Sequence, residues 1–215
     1  MIRFAQILFF AIVVRPLVLI GLGLNLVNRK SLPAKGPAVI AATHNSHLDT
    51  FVLMSLYPLL SLHKVRPVAA ADYFLANPWR AWFSKNIVGI IPLDRTGGTD
   101  LDVLFEPCRQ ALERGEILIL FPEGSRGAPE NMGRLRKGLC QLLKGYEQVP
   151  VTPVVLHGLG RSLPRGEALF VPFNCDVVIG DAMHVEGRSS AFLKRLSAVY
   201  DELFAQCLTR NIGES

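Results

Sequence analysis

From residue 38 onward, short apolar runs rich in β-branched residues alternate with segments of helical period. The runs are Ala38–Thr43, Val65–Ala70, Gly89–Leu93, Ile117–Phe121, Val151–Leu156, Ala168–Val171 and Cys175–Ile179. Helical patterns fall near Leu48–Leu56, Pro78–Asn86, Leu101–Arg114 and Leu135–Tyr146, and a last stripe runs from Phe192 through Leu196, Tyr200 and Leu203 to Leu208. Alternation of this kind restricts the chain to an α/β fold with a mainly parallel central sheet flanked by helices. Local punctuation agrees. Asn77-Pro78 reads as an N-cap followed by proline at the first helical position. Thr99 and Asp102 read as a capping box. Pro107 predicts a kink in the helix that Gly115 ends.

The 215 residues suffice for one ordinary domain with a real core. With 50% hydrophobic and 19% charged residues, fibrous and disordered classes are excluded. A mean hydropathy of +0.31 is high for a wholly water-exposed surface. The net charge of +5 is unevenly placed: residues 1–48 hold Arg3, Arg15, Arg29, Lys30 and Lys35 and no acid, and the remainder is balanced at eighteen bases and eighteen acids. Residues 4–27 are almost wholly apolar apart from Arg15-Pro16. As a single span they would put an arginine at mid-membrane and lose a helical hydrogen bond at proline. Two short helices lying in one leaflet avoid both costs. The sequence therefore predicts a membrane-docking helix pair over residues 1–30, followed by a catalytic domain over 31–215, although a helix pair packed on the domain itself also fits. No small-residue cleavage site follows the apolar run, against a cleaved signal. The balanced body argues against nucleic acid as a partner. Cys108, Cys140, Cys175 and Cys207 form no CxxC and read as reduced core residues of a domain facing the cytosol.

Polar residues gather directly after the apolar runs, where open parallel sheets collect ligands. Thr43-His44-Asn45-Ser46-His47-Leu48-Asp49 follows the first. In a continuous helix residues five apart diverge by about 140°. His44 and Asp49 therefore meet only if His44 precedes the helix and Asp49 lies in its first turn, with Ser46 as cap. The carboxylate would then orient the imidazole. The same residues also fit a plain capping pair with a loop histidine, and His44, His47 and Asp49 admit a metal reading, though without H-x-H or H-E-x-x-H spacing. The second candidate is Phe121-Pro122-Glu123-Gly124-Ser125-Arg126-Gly127, where glycines admit backbone close to an anion and Arg126 offers a planar fork for phosphate. Asp94-Arg95 ends a third run. Arg134, Arg136 and Lys137 form a basic cluster before a helix. Tyr73, Phe74, Trp79, Trp82 and Phe83 crowd one segment beside Arg80 and Lys85, as suits a bilayer interface, an acyl channel or ordinary packing.

Taken in order, H-x-x-x-x-D (His44, Asp49), G-x-x-x-x-D-R (Gly89 to Arg95), F-P-E-G-S-R (Phe121 to Arg126) and V-P-V-T-P-V (Val149 to Val154) resemble the glycerophospholipid acyltransferase family, its bacterial 1-acylglycerol-3-phosphate acyltransferases above all. Ser125 departs from the family's usual threonine. The resemblance covers residues 38–160, and the apolar arm is similar to the family's membrane-docking motif. It implies an O-acyltransferase of phospholipid biosynthesis on the cytoplasmic face of the inner or plasma membrane, needing no metal or other cofactor. His44 would be the general base and Asp49 its orienting carboxylate. Arg95, Glu123, Gly124, Ser125, Arg126 and Lys137 would bind substrate. The implied partners are a lysophospholipid acceptor, an acyl-CoA or acyl-carrier-protein donor, and membrane lipid. The residues alone also leave open another lysolipid acceptor, a metal-dependent hydrolase built on His44, His47 and Asp49, and a lipid-binding protein without turnover.

Overall fold

A computed structural model describes residues 1–46, 48–71, 77–94, 100–124, 132–159 and 174–211. Seven strands form one sheet: β1 (Gly23–Val27), β2 (Ala38–Ala42), β3 (Val65–Ala70), β4 (Ile91–Leu93), β5 (Ile117–Leu120), β6 (Val151–His157) and β7 (Asn174–Ile179). Their order is β1-β7-β6-β2-β5-β3-β4. Every neighbouring pair is parallel except β6 and β7. The α/β class with a mainly parallel sheet is therefore as the alternation predicts. The run Ala168–Val171 lies outside the described residues.

Period-two burial on the strands makes two apolar layers. Val39, Ala41, Leu118 and Leu120 face one side, with α4 (Leu101–Glu113), α5 (Gly138–Leu142) and α6 (Ser189–Phe204) packed on it. Ala38, Ile40, Ala42, Ile117 and Ile119 face the other, beneath α1 (Ile2–Gly21) and α2 (Leu48–Ser55). The short helices α3 (Pro78–Phe83) and α7 (Leu208–Asn211) complete the set. Asn77 caps α3 as expected, its Oδ1 accepting from Trp79 N at 2.9 Å. On α4 the cap is Asp100, which accepts from Asp102 N, one residue after the Thr99 that the capping-box pattern indicates. The helix continues through Pro107. All four cysteines are buried.

The N-terminal arm departs from the expected helix pair. It is one helix followed by a strand. A wide turn at Phe10–Val14, closed by Arg15 N–H on Phe10 O, precedes Pro16, so the helix passes the point at which a missing N–H would break it. Beyond Gly21, Leu22 is extended (φ −116°, ψ 130°), and the end of the second apolar half forms β1 instead of helix, paired with β7 from Gly23↔Asn174 to Val27↔Val178. One face of α1 buries Phe10, Val14 and Val18 in the core. The opposite face leaves Phe4, Leu8, Ile12, Val13, Leu19 and Ile20 exposed. The arm's arginines are tied back to the fold: Arg3, Arg15 and Arg29 donate to the carbonyls of Leu60, Tyr57 and Leu56 at 3.0, 2.9 and 3.1 Å.

Candidate active site

Because β2 and β5 are adjacent and parallel, the segments leaving their C-terminal ends emerge side by side. The first carries His44 and the second carries Glu123. His44 Nδ1 lies 2.8 Å from Asp49 Oδ2. Asp49 sits in the first turn of α2 and is completely buried. The same Oδ2 accepts from Asn45 N at 2.7 Å and Ser46 N at 2.9 Å, while Ser46 Oγ accepts from Leu48 N at 3.3 Å. Capping pair and His–Asp pair thus coexist, with one carboxylate oxygen serving both. Main-chain N–H groups only donate, so Oδ2 is fixed as an acceptor. His44 Nδ1 then carries the ring proton and Nε2 is the basic nitrogen. Nε2 has no hydrogen-bond partner among the described residues. The imidazole side chain is 19% exposed and stacks on Phe121, centroids 4.1 Å apart and planes at 22°.

Burial raises the Asp49 carboxyl above its ordinary value, and the bonds from His44, Ser46 and Asn45 only partly offset that rise. Its Oδ1 is buried with no hydrogen-bond partner among the described residues. One oxygen accepts three donors while the other accepts none. That arrangement favours orienting an imidazole over stabilising the fold.

Glu123, expected at the acceptor headgroup, is buried. Its Oε1 accepts from His44 N at 2.9 Å and its Oε2 from Gly133 N at 2.7 Å. The carboxylate thus ties the backbone of His44 to the segment beyond β5. Arg136 closes the same knot, donating from Nε to Glu123 O at 3.0 Å and from its backbone N to Pro122 O at 2.8 Å. Gly124 has φ +76°, and a Cβ there would lie 2.9 Å from Arg136 Cδ, so only glycine fits both the turn and the crossing side chain. The Gly124 N–H donates to Phe121 O at 3.0 Å. A backbone oxyanion donor at Gly124, which the glycine-rich pattern invites, is therefore already engaged in the turn. Lys137 is exposed just before α5. Arg95, Ser125 and Arg126 lie outside the described residues, as does His47. Among the described residues no three His, Cys, Asp or Glu side chains converge as a metal would require.

Three further residues hold the His44 segment, and the motif reading passed over them. Leu156 N donates to Thr43 Oγ1 at 2.9 Å. Asn45 Nδ2 donates to Leu156 O at 2.6 Å. Tyr200 donates from α6 to Ala41 O at 2.9 Å, and its burial beside Glu123 holds the phenol well above its usual range. Thr43 and Asn45 stand inside the first motif, where their polarity was the available signal. Tyr200 stands in an apolar stripe, where a buried phenol always needs a partner.

A mainly parallel α/β sheet thus carries a His–Asp pair with a buried carboxylate at the end of one strand, and a glutamate-anchored turn at the end of its neighbour. The acyltransferase family model matches residues 23–157, and the chain belongs to that family. Its relatives include the chloroplastic 1-acyl-sn-glycerol-3-phosphate acyltransferase of Arabidopsis thaliana, 28% identical over 75% of this chain and 44% of that protein. The enzyme of the same name from Pseudomonas aeruginosa is 29% identical over 78% and 62%, and that from Bacillus subtilis 26% over 75% and 74%. The chain thus spans less than two thirds of the first two. The crystal structure of the 1-acyl-sn-glycerophosphate acyltransferase of Thermotoga maritima shares the fold, with a TM-score of 0.71 over 92% of this chain and 76% of that one at 18% identity.

Proposed function

We propose that this protein is a membrane-attached O-acyltransferase. It moves a fatty acyl group from acyl-CoA or acyl-carrier protein to the free hydroxyl of 1-acylglycerol-3-phosphate, forming phosphatidic acid. The observation that carries the reading is the partly exposed imidazole of His44, with Nδ1 on a buried carboxylate at 2.8 Å and Nε2 unengaged among the described residues. In this mechanism Nε2 takes the proton of the acceptor hydroxyl as its oxygen attacks the thioester carbonyl, and Asp49 stabilises the imidazolium. Collapse of the tetrahedral adduct expels the thiolate, which recovers the proton from His44. No acyl-enzyme forms. Ser46, the serine nearest the pair in sequence, is buried and engaged at the helix start, which supports direct transfer. Glu123, Thr43 and Asn45 act as positioning residues. Arg126, with Arg95, Lys137 and Ser125, holds the acceptor's phosphate end, and Gly124 serves through the turn rather than through its own N–H.

Residues 1–30 attach the chain to the cytoplasmic face of the inner or plasma membrane. In support, the helix is long and apolar enough to enter a bilayer, with 22% of its most apolar stretch buried against the domain. The test is incubation of the full chain with labelled acyl-CoA and lysophosphatidic acid, followed by separation of the lipids. Labelled phosphatidic acid, formed in the presence of a chelator and lost in His44→Ala, is the expected result. Release of free fatty acid without transfer, or turnover abolished by the chelator, would overturn it in favour of a hydrolase or a metal enzyme.

A further inference from the structure

Among the described residues, the fold and the proposed chemistry leave an exposed aromatic pair unused beside α1. Trp79 and Trp82 project from α3 with 70% and 46% of their surface exposed. Their rings stack on each other at 5.5 Å and 17°. Neither indole N–H has a hydrogen-bond partner among the described residues. Stacked tryptophans this exposed are unusual on a water-facing surface, since each ring carries a large apolar area and a donor that seeks a polar partner.

Position supplies the partner. Phe83, one turn beyond Trp79 on α3, meets Phe9 of α1 edge to face at 5.2 Å. The tryptophan pair is therefore continuous, through that contact, with the helix whose outer face carries Phe4, Leu8 and Ile12. Charge agrees: Arg80 and Lys85 are exposed beside the pair, and residues 77–93 contain no acid. An apolar ring with one donor, flanked by cations, matches the boundary between headgroups and acyl chains of an anionic leaflet.

We infer that Trp79 and Trp82 form a second lipid contact beside α1, seated at headgroup level in an anionic bilayer. This rests on the membrane attachment proposed above and adds to it. A single helix lying on a surface leaves the domain free to roll about the helix axis. A second contact on α3 removes that freedom and fixes which side of the domain faces the leaflet.

The chain contains only two tryptophans, so its fluorescence under tryptophan-selective excitation reports on this pair alone. The full chain is mixed with vesicles of phosphatidylcholine and phosphatidylglycerol, in which bromine is placed either near the headgroup or deep in the acyl chains. The expected result is a blue shift, with quenching stronger for shallow bromine. The single variants Trp79→Phe and Trp82→Phe assign the signal to each ring. Trp79→Ala with Trp82→Ala should lower vesicle partition about tenfold, which is ~1.4 kcal/mol. It should leave turnover of detergent-dispersed acceptor unchanged. Unchanged emission from protein that floats with the vesicles would overturn the inference and leave α1 as anchor. Protein that fails to float would overturn both. Quenching by a brominated acyl-CoA without vesicles would place the pair on the donor's acyl path and overturn it as well.

Discussion

Asp49→Asn separates catalysis from stability at the centre of this site. The wild-type carboxylate is completely buried and takes all three of its hydrogen bonds on Oδ2. In the variant, Asn45 N and Ser46 N still demand an acceptor there, so the amide oxygen takes that place and the NH2 group falls where Oδ1 had no partner. His44 keeps its tautomer and orientation. What disappears is a negative charge beside the imidazolium that the proposed transfer would form. Two unit charges about 4 Å apart attract by ~4 kcal/mol at an effective dielectric near 20, which converts to a loss of roughly a thousandfold in kcat. His44→Ala, which removes the proposed base, should lose ~10²–10⁴-fold. Stability should move the opposite way. Because burial raises the Asp49 carboxyl, the native state binds its proton more tightly than the unfolded chain. The wild type therefore loses stability as pH rises from the ordinary aspartate range through the raised native value. The asparagine variant escapes that loss, so it should match the wild type in acid and equal or exceed it near neutrality. Initial rates of acyl transfer and thermal unfolding across pH decide the matter. A variant that turns over normally but melts earlier would refute the reasoning and leave Asp49 as a helix cap.

Glu123→Gln should cost ~1–3 kcal/mol in thermal unfolding and depress kcat more than either KM. Its amide NH2 must face the N–H of His44 or of Gly133, where the carboxylate accepted both. Gly124→Ala should lose activity and stability together, because a Cβ 2.9 Å from Arg136 Cδ at φ +76° disturbs the turn; an alanine variant with wild-type unfolding and turnover would show that the turn adapts. On α1, serine at Phe4, Leu8 and Ile12, all exposed, should abolish flotation with vesicles at an unchanged melting point. Phe10→Ala, on the buried face, should instead lower stability by ~3–5 kcal/mol and leave vesicle binding of the folded protein intact.

The spacing of His44 and Asp49 foretold their meeting because only one local geometry brings residues five apart together, and Ser46 indicated where the helix starts. The strands β2, β5 and β6 were legible to within a residue or two, since apolar runs of four to seven bounded by polar turns have few alternatives. β1 was not. Leu17 to Val27 is one unbroken apolar stretch interrupted only by glycines and Asn25, and hydropathy does not separate a buried strand from a continuing helix. Its extended form rests on a ladder with β7, some 150 residues further along. The role of Glu123 was hidden for the same reason. A carboxylate inside a glycine- and arginine-bearing turn reads as a ligand contact, but its partners are backbone amides 79 residues before it and ten after it. No local pattern records that closure.

The positive charge of the arm shows how composition misleads when geometry is absent. Arg3, Arg15 and Arg29 look like attachments to anionic headgroups, yet each guanidinium reaches a main-chain carbonyl: Leu60, Tyr57 and Leu56 respectively. Leu56 and Tyr57 immediately follow α2, which ends without a base in its own last turn. Cations there complement the negative end of the helix dipole. The same eight-residue helix carries Asp49 in its first turn, at the positive end. Arginines from the arm and the carboxylate of the His–Asp pair thus sit at opposite ends of about two helical turns, each at the pole that favours its charge. Those bonds tie the guanidinium groups to the fold without cancelling their charge. Attachment through the outer face of α1 rests on apolar burial, and salt alone should have little effect on it. The segment proposed to hold the chain at the bilayer is also the one that steadies the helix orienting His44.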